Sequence, residues 1–326
     1  MRRFIFLFPV IVLVLAGSTS LFAGSDSGLL ALIPSSATTV GGMDVARARN
    51  SPLGQYLLAN SQTENLNFET LIQETGFDPR RDLEQVVFEA SGTGAKGQKS
   101  FAILARGTFD EGLIKVAAKK NGAGVQVYEG VEMIVTAPSD HGNVIAFPES
   151  GLAVMADLKT MRQIIANRAT PTVLDASLQS GIDAVSAGHD AWFVSTTGGG
   201  FIADRLRGET GHSDEIPQQS KVLDSIAQSS GGIRFGEVIE ASFEAVTRSP
   251  QDATSLADVI RFATSMVQMQ RQNDPRAAIL ASSLDSMKLQ VTGNSVHFAV
   301  SMPEGSVEQL ADLRPAAGKR ARPNMR

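Results

Sequence analysis

The sequence predicts an α+β fold of two topologically similar halves, with antiparallel sheets and packed helices. Three observations predict it. Segments alternating at period two come in pairs joined by short turns, which fits hairpins and not the long crossovers that parallel strands need. Capped segments of helical period lie between these pairs. The order strand, helices, strand pair, helix, hairpin, helix occurs twice, over residues 24–168 and 173–313. A tandem duplication would produce this layout, and so would convergence.

Composition sets the outer bounds. The chain has 326 residues, 43% of them hydrophobic and 19% charged, which is too apolar for a disordered chain and too mixed for a multi-span membrane protein. No cysteine is present, so stability must come from a core and not from disulfides, and neither a thiolate nucleophile nor a cysteine-ligated metal is available. The formal charge of −5 argues against a nucleic-acid-binding surface, which would be basic.

The chain opens on a leader. Arg2 and Arg3 are followed by an uncharged run from Phe4 to Ala16, then by small polar residues and Leu21-Phe22-Ala23. This is the layout of a secretory signal peptide, residues 1–23, with cleavage after Ala23. Its apolar core is shorter than the roughly 20 residues of a membrane span. The alternative is an uncleaved anchor from Phe4 to Ala23. Cleavage would leave an exported chain, periplasmic or extracellular, with no stable membrane span.

In the first half, Ala37 to Val45 reads as a strand, Ser51 to Asn60 and Phe68 to Glu74 as helices. Leu83 to Ala90 and Ser100 to Phe109 alternate as a strand pair across a Gly-rich loop. Asp110 caps a helix ending at Asn121-Gly122. Hairpins follow at Glu129-Gly130 and at Pro148 to Gly151, and Asp157 opens a helix through Arg168. Ala169 to Thr172 separates the halves. In the second half, Ala191 to Thr196 is a strand, Phe201 to Leu206 and Lys221 to Gln228 are helical, and Gly232 to Phe235 pairs with Val238 to Arg248. Ser249-Pro250-Gln251-Asp252 is a capping box that opens a helix to about Arg271. Asp274-Pro275 opens another, Gly293-Asn294 turns a hairpin, and Ser306 to Leu313 is a last helix. Residues 314–326 carry five basic residues and no acid, and are predicted to be a disordered tail.

Phe77-Asp78-Pro79-Arg80-Arg81-Asp82-Leu83 and Ala105-Arg106-Gly107-Thr108-Phe109-Asp110, with Gly41-Gly42-Met43-Asp44-Val45 and Asp190-Ala191-Trp192-Phe193-Val194-Ser195, resemble a family of uncharacterised exported bacterial proteins. The resemblance covers most of the chain beyond the leader. It implies export and an α+β repeat architecture, and it brings no catalytic residues with it.

Catalytic signals are weak. Gly92 to Ser100 looks like a phosphate loop, but Gln98 interrupts the Gly-Lys-Ser spacing and a strand follows where a helix N-terminus is needed. Gly198-Gly199-Gly200 with Arg205 sits between a strand and a helix, a better place for an anion, yet it reads as a tight turn. His141, His189, His212 and His297 have no ligand spacing, so no metal and no cofactor is predicted. His189-Asp190 is the best acid–base pair, although neighbouring strand residues point opposite ways. No G-x-S-x-G is present. Met266 and Met269 lie on one stripe of the long helix, suited to core packing or, if exposed, to an irregular apolar partner. These observations favour a non-catalytic binding or scaffold protein of the envelope, with an apolar ligand or envelope protein as partner. The weak ligand-binding candidates are Gly199, Arg205, Met266 and Met269. The alternative is an envelope hydrolase with its site assembled between the halves.

Overall fold

The first strands of the two halves pair with each other, and this makes one sheet of both. The computed structural model describes residues 27–60, 68–92, 100–135, 143–198 and 222–313. In the first half the chain runs α1 (Ser27–Leu30), β1 (Thr39–Asp44), α2 (Val45–Asn50), α3 (Pro52–Asn60), α4 (Phe68–Thr75), α5 (Pro79–Asp82), β2 (Leu83–Ser91), β3 (Ser100–Gly107), α6 (Glu111–Lys120), β4 (Gly124–Tyr128), β5 (Val131–Val135), β6 (Asn143–Glu149), β7 (Leu152–Asp157) and α7 (Leu158–Asn167). The second half is α8 (Ala176–Ser186), β8 (Ala191–Ser195), β9 (Ile226–Arg234), β10 (Val238–Thr247), α9 (Pro250–Met269), α10 (Pro275–Leu284), β11 (Lys288–Thr292), β12 (Ser295–Pro303) and α11 (Glu304–Asp312).

The 12 strands lie in the order β11-β12-β10-β9-β8-β1-β2-β3-β7-β6-β5-β4, and every neighbouring pair is antiparallel. Each half follows one rule. Its first three strands lie side by side, the chain leaves through helix, and the last returning strand, β7 or β12, pairs with the third. The first half returns in four strands and the second in two. The antiparallel sheets expected of the two halves are therefore a single sheet, joined where β1 pairs with β8.

That seam runs from Thr39↔Ser195 to Met43↔Ala191. Its backbone approach depends on Gly41 and Gly42. A Cβ on Gly41 would lie 2.2 Å from the Phe88 ring, and one on Gly42 would lie 2.6 Å from the Trp192 ring. The two rings use opposite faces of β1, as the pleat requires. Polar clasps close both ends. Thr39 Oγ1 and Ser195 Oγ are 2.8 Å apart at one end. At the other, Arg47 Nη1 donates to Asp190 Oδ1 at 2.9 Å.

The two sheet faces are covered unequally. On one face Val40, Val87, Leu104, Val154, Ala146, Trp192 and Val194 form the main core, closed by Leu29 of α1, Met161, Ile164 and Ile165 of α7, and Leu178, Ile182 and Val185 of α8. On the other face, Ala253, Leu256 and Ala257 of α9 pack on Ala245 and Val296, and Val45 and Phe77 pack on Leu83 and Ala105. Helices start where short acceptors cap them: Asp44, Asp110, Asp157, Asp175, Ser249 and Asp274 each accept from a backbone N–H of the following turn.

Four elements depart from the sequence expectations, the first being α1, in a stretch the sequence left unassigned. Helix α8 fills a stretch with no assigned element, although Asp175 caps it and Leu178, Ile182 and Val185 recur at i, i+4, i+7. Helix α2 is an added turn after β1. Strand β9 starts at Ile226, inside the segment expected to be helical to Gln228. Its Gln-Ser-Ser-Gly-Gly run carries little strand propensity, so pairing on both sides by β8 and β10 decides its state. The leader, the helix expected from Phe201 to Leu206 and the basic tail lie outside the described residues.

Replacing Gly42 by Ala should lower unfolding stability by on the order of 2–3 kcal/mol, because the Trp192 ring must move out of a packed core. Replacing Gly124, where an added Cβ meets nothing within 4 Å, should cost well under half of that. Denaturant unfolding of both variants checks the contrast, and equal losses would contradict it.

Candidate functional site

The covered face of the sheet changes character beyond β9. Across β10, β12 and β11 it presents Ser242, Glu244, Ala299, His297, Lys288 and Gln290. In the register these fall in two rows. Ser242, Ala299 and Lys288 are level with one another, and Glu244, His297 and Gln290 form the next row. Two adjoining cavities of about 330 and 420 Å³ lie over this surface, and both are lined by His189, Ser242, Lys288 and Ala299. Ala184 and Val185 of α8 wall one side. Together they make an open trough with a small-residue floor and a few polar side chains along it.

His189 is held from both sides of its ring. Nδ1 lies 2.8 Å from the Val185 carbonyl oxygen, which can only accept, so Nδ1 carries a proton. Nε2 lies 2.8 Å from Ser242 Oγ. In the neutral ring Nε2 is an acceptor, and the Ser242 hydroxyl donates to it. Gly232 makes room for this ring, since a Cβ there would lie 2.4 Å from His189 Cγ. Asp190 points the opposite way. Its carboxylate accepts from Arg47 Nη1 and, at 2.8 Å, from the Phe235 backbone N–H. The adjacent pair is thus divided between two tasks: His189 faces the trough and Asp190 clasps the seam.

The remaining trough charges are mostly matched. Arg234 Nε donates to Glu240 at 3.0 Å, and His297 Nε2 is 3.4 Å from Glu244 Oε1. The Lys288 side chain has no hydrogen-bond or ion-pair partner among the described residues. No three His, Asp or Glu side chains converge as a metal-binding group among the described residues.

The sequence-predicted residues are distributed as follows. Met266 and Met269 lie on the solvent side of α9, 42% and 71% exposed, with Phe262 at 57% on the same flank. Asp44 caps α2 and accepts from the Arg47 backbone N–H at 2.8 Å. Of its two arginine neighbours in sequence, it lies 3.9 Å from Arg47 Nε and does not reach Arg49, whose guanidinium is buried and donates to the carbonyl of Leu83 at 2.9 Å. Asp78 caps the single turn α5, as the Asp-Pro pair suggests. Gly199, Arg205, His141, His212 and the phosphate-loop lookalike from residue 93 to 99 lie outside the described residues. Ser242 and Lys288 were not singled out in the sequence. Their signal is a polar residue at an every-other position of strands whose opposite face is apolar, and it gains meaning only when the neighbouring strands are known.

One buried group lies far from the trough. Glu89, on β2 between Val40 and Ala102, is 1% exposed within the main core, and neither carboxylate oxygen has a hydrogen-bond partner. Burial, with the Asp157 charge adding to it, pushes its pKa from 4.5 to about 7.

This defines an α+β protein whose described strands form one antiparallel sheet with an open trough at one end. No protein-family model matches the chain, and no characterised protein matches it significantly in sequence. Among solved structures it is similar to crystal form III of TP0453, with a TM-score of 0.50 at 11% identity, covering 86% of this chain and 96% of that one. Crystal forms I and IV of TP0453 align with TM-scores of 0.47 and 0.49. At this identity the likeness is one of fold.

Glu89 generates a pH dependence. Its folded pKa is raised, so the folded state keeps a proton that the unfolded chain loses, and stability falls as pH rises from 4.5 to about 7. The full cost above that range is about 3 kcal/mol. Relative to wild type, Glu89→Gln should therefore gain about that much unfolding free energy between pH 4.5 and 8. A difference independent of pH, measured by urea denaturation, would contradict the assignment.

Proposed function

We propose that this chain is an exported, non-catalytic binding or scaffold protein of the cell envelope, with its partner surface on α9. The observation that carries this reading is the exposed stripe of Phe262, Met266 and Met269, spaced i, i+4, i+7 on one flank of the helix. The N-terminal half of α9 buries Ala253, Leu256 and Ala257 on the sheet, so the helix is anchored there and presents its last turns outward. Three large apolar side chains together on an exposed flank mark an interaction surface, and methionine adapts to irregular partners. Charged neighbours are already matched, Arg261 to Asp258 at 2.8 Å and Arg271 to Asp285 at 3.6 Å, which leaves the stripe bordered by neutralised polar groups. The occupant is an apolar ligand or an apolar segment of an envelope protein. Export rests on the leader, Arg2-Arg3 followed by Phe4 to Ala16 and Leu21-Phe22-Ala23. Among the described residues no helix is long and apolar enough to cross a membrane.

A second reading, hydrolysis, is favoured by the contact between His189 and Ser242. Both residues belong to the second half. Ser242 sits in the middle of β10, paired on both sides, so the backbone N–H groups around it are spent in the sheet ladder. An oxyanion needs such donors free. That supports binding over turnover.

Edman sequencing of the envelope protein should begin at Gly24, and a sequence beginning at Met1 or Arg2 would overturn cleavage. A thermal-shift screen of apolar ligands on the mature chain should find stabilisation that Met266→Glu reduces at least tenfold in affinity, with the variant's own melting temperature unchanged. Ester, phosphoester, glycoside and peptide hydrolysis assayed in parallel should show none. Turnover lost in His189→Ala would overturn the reading.

A further inference from the structure

We infer that the trough over β10, β12 and β11 is a second binding site, for a small organic anion, and that anion binding there is coupled to protonation of His189. The site is independent of the α9 stripe, and its success or failure leaves that reading untouched.

Charge matching picks the sign of the ligand. From β9 and β10 the trough is faced by Arg234 and Glu240, which pair with each other, and by Glu244. From β12 it is faced by His297, 3.4 Å from Glu244, a contact that is an ion pair only when the imidazole is protonated. From α8 it is faced by the uncharged Ala184 and Val185, and from β11 by Lys288. Among the described residues, Lys288 is the cation facing the trough whose side chain has no hydrogen-bond or ion-pair partner. It stands level with Ser242 across the small floor residue Ala299. An anion seated on Ala299 would have the Lys288 ammonium on one side and the Ser242 hydroxyl on the other.

The Ser242 hydroxyl has two settings. With His189 neutral, its proton is donated to Nε2 and only lone pairs remain for a ligand. With His189 protonated, Nε2–H donates to Ser242 Oγ, and the hydroxyl proton turns outward to an acceptor. Nδ1 is a donor in both states, because the Val185 carbonyl holds it, so the ring does not have to turn. An anion therefore binds the protonated setting better, and its binding takes up a proton. Carboxylates and phosphate esters share the required chemistry, and cavities of about 330 and 420 Å³ fit a small molecule.

The test is an NMR titration of the mature chain with acetate and, separately, with dimethyl phosphate, both monoanions throughout, at pH 6 and pH 8 and constant ionic strength. At least one should shift the His189 ring and Lys288 resonances and bind roughly ten times more tightly at pH 6. Binding by one alone assigns the headgroup class. Lys288→Gln, an exposed change that leaves the fold intact, should weaken binding at least fivefold, as should Ser242→Ala. His189→Gln should remove most of the pH dependence, whereas His297→Gln should keep most of it. The site is overturned if neither anion shifts these resonances, or if Lys288→Gln and Ser242→Ala bind as wild type does. The coupling is overturned if His189→Gln retains the pH dependence.

Discussion

The close approach of β1 to β8 is the constraint on which the rest of the molecule depends. Each is the first strand of its half, and their pairing is what turns a repeated element order into one 12-stranded sheet. Two glycines make the approach possible by yielding space to Phe88 on one face and Trp192 on the other. A side chain at Gly42 would push the Trp192 ring out of a packed core, where even one added methylene is felt, and one at Gly41 would collide with the half-buried Phe88 ring. The clasps at the two ends, Thr39 with Ser195 and Arg47 with Asp190, add direction and register to a contact that glycine alone would leave loosely specified.

From that seam the register passes outward strand by strand, and with it the assignment of every side chain to a face. Val40 and Val194 are level across the seam, Ser230 is level with Val194, and Glu244 is level with Ser230. One row thus begins in the apolar core and ends on an open polar surface. The change follows the helices. Helices α7 and α8 close the face over the first half and the seam, whereas α9 covers the opposite face of the second half. The uncovered quarter carries hydroxyl, imidazole, carboxylate and ammonium groups, because apolar side chains there would have stayed in water.

The fold class was legible because antiparallel pairs announce themselves locally, through alternation and through turns such as Gly293-Asn294 and Glu129-Gly130. Glu129 and Gly130 both adopt positive φ, at 47° and 78°. Helix α8 was equally legible in principle, from the Asp175 cap and the spacing of Leu178, Ile182 and Val185. Strand β9 was not, because Ser229, Ser230, Gly231 and Gly232 carry almost no strand propensity and are strands only through their neighbours. The candidate site was legible in part. His189 stands out as a histidine beside an acid, and the opposite directions of His189 and Asp190 follow from the pleat. Ser242 and Lys288 were not legible. They are 46 residues apart in a sheet whose strand order no local pattern encodes, and neither differs by itself from any other polar strand residue. Glu89 reads as one acid among 34 until the packing around it is known.

Native-state hydrogen exchange tests the dependence on the seam most directly. Amides of β1 and β8, from Gly41 to Met43 and from Trp192 to Val194, should exchange at the slow global rate, together with the central amides of β3 and β10. Denaturant should move all of them in parallel, because one sheet unfolds as one cooperative unit. If the seam amides exchange markedly faster than the centres of both halves, or the halves show two separate unfolding free energies, the seam does not hold the molecule together and the account fails.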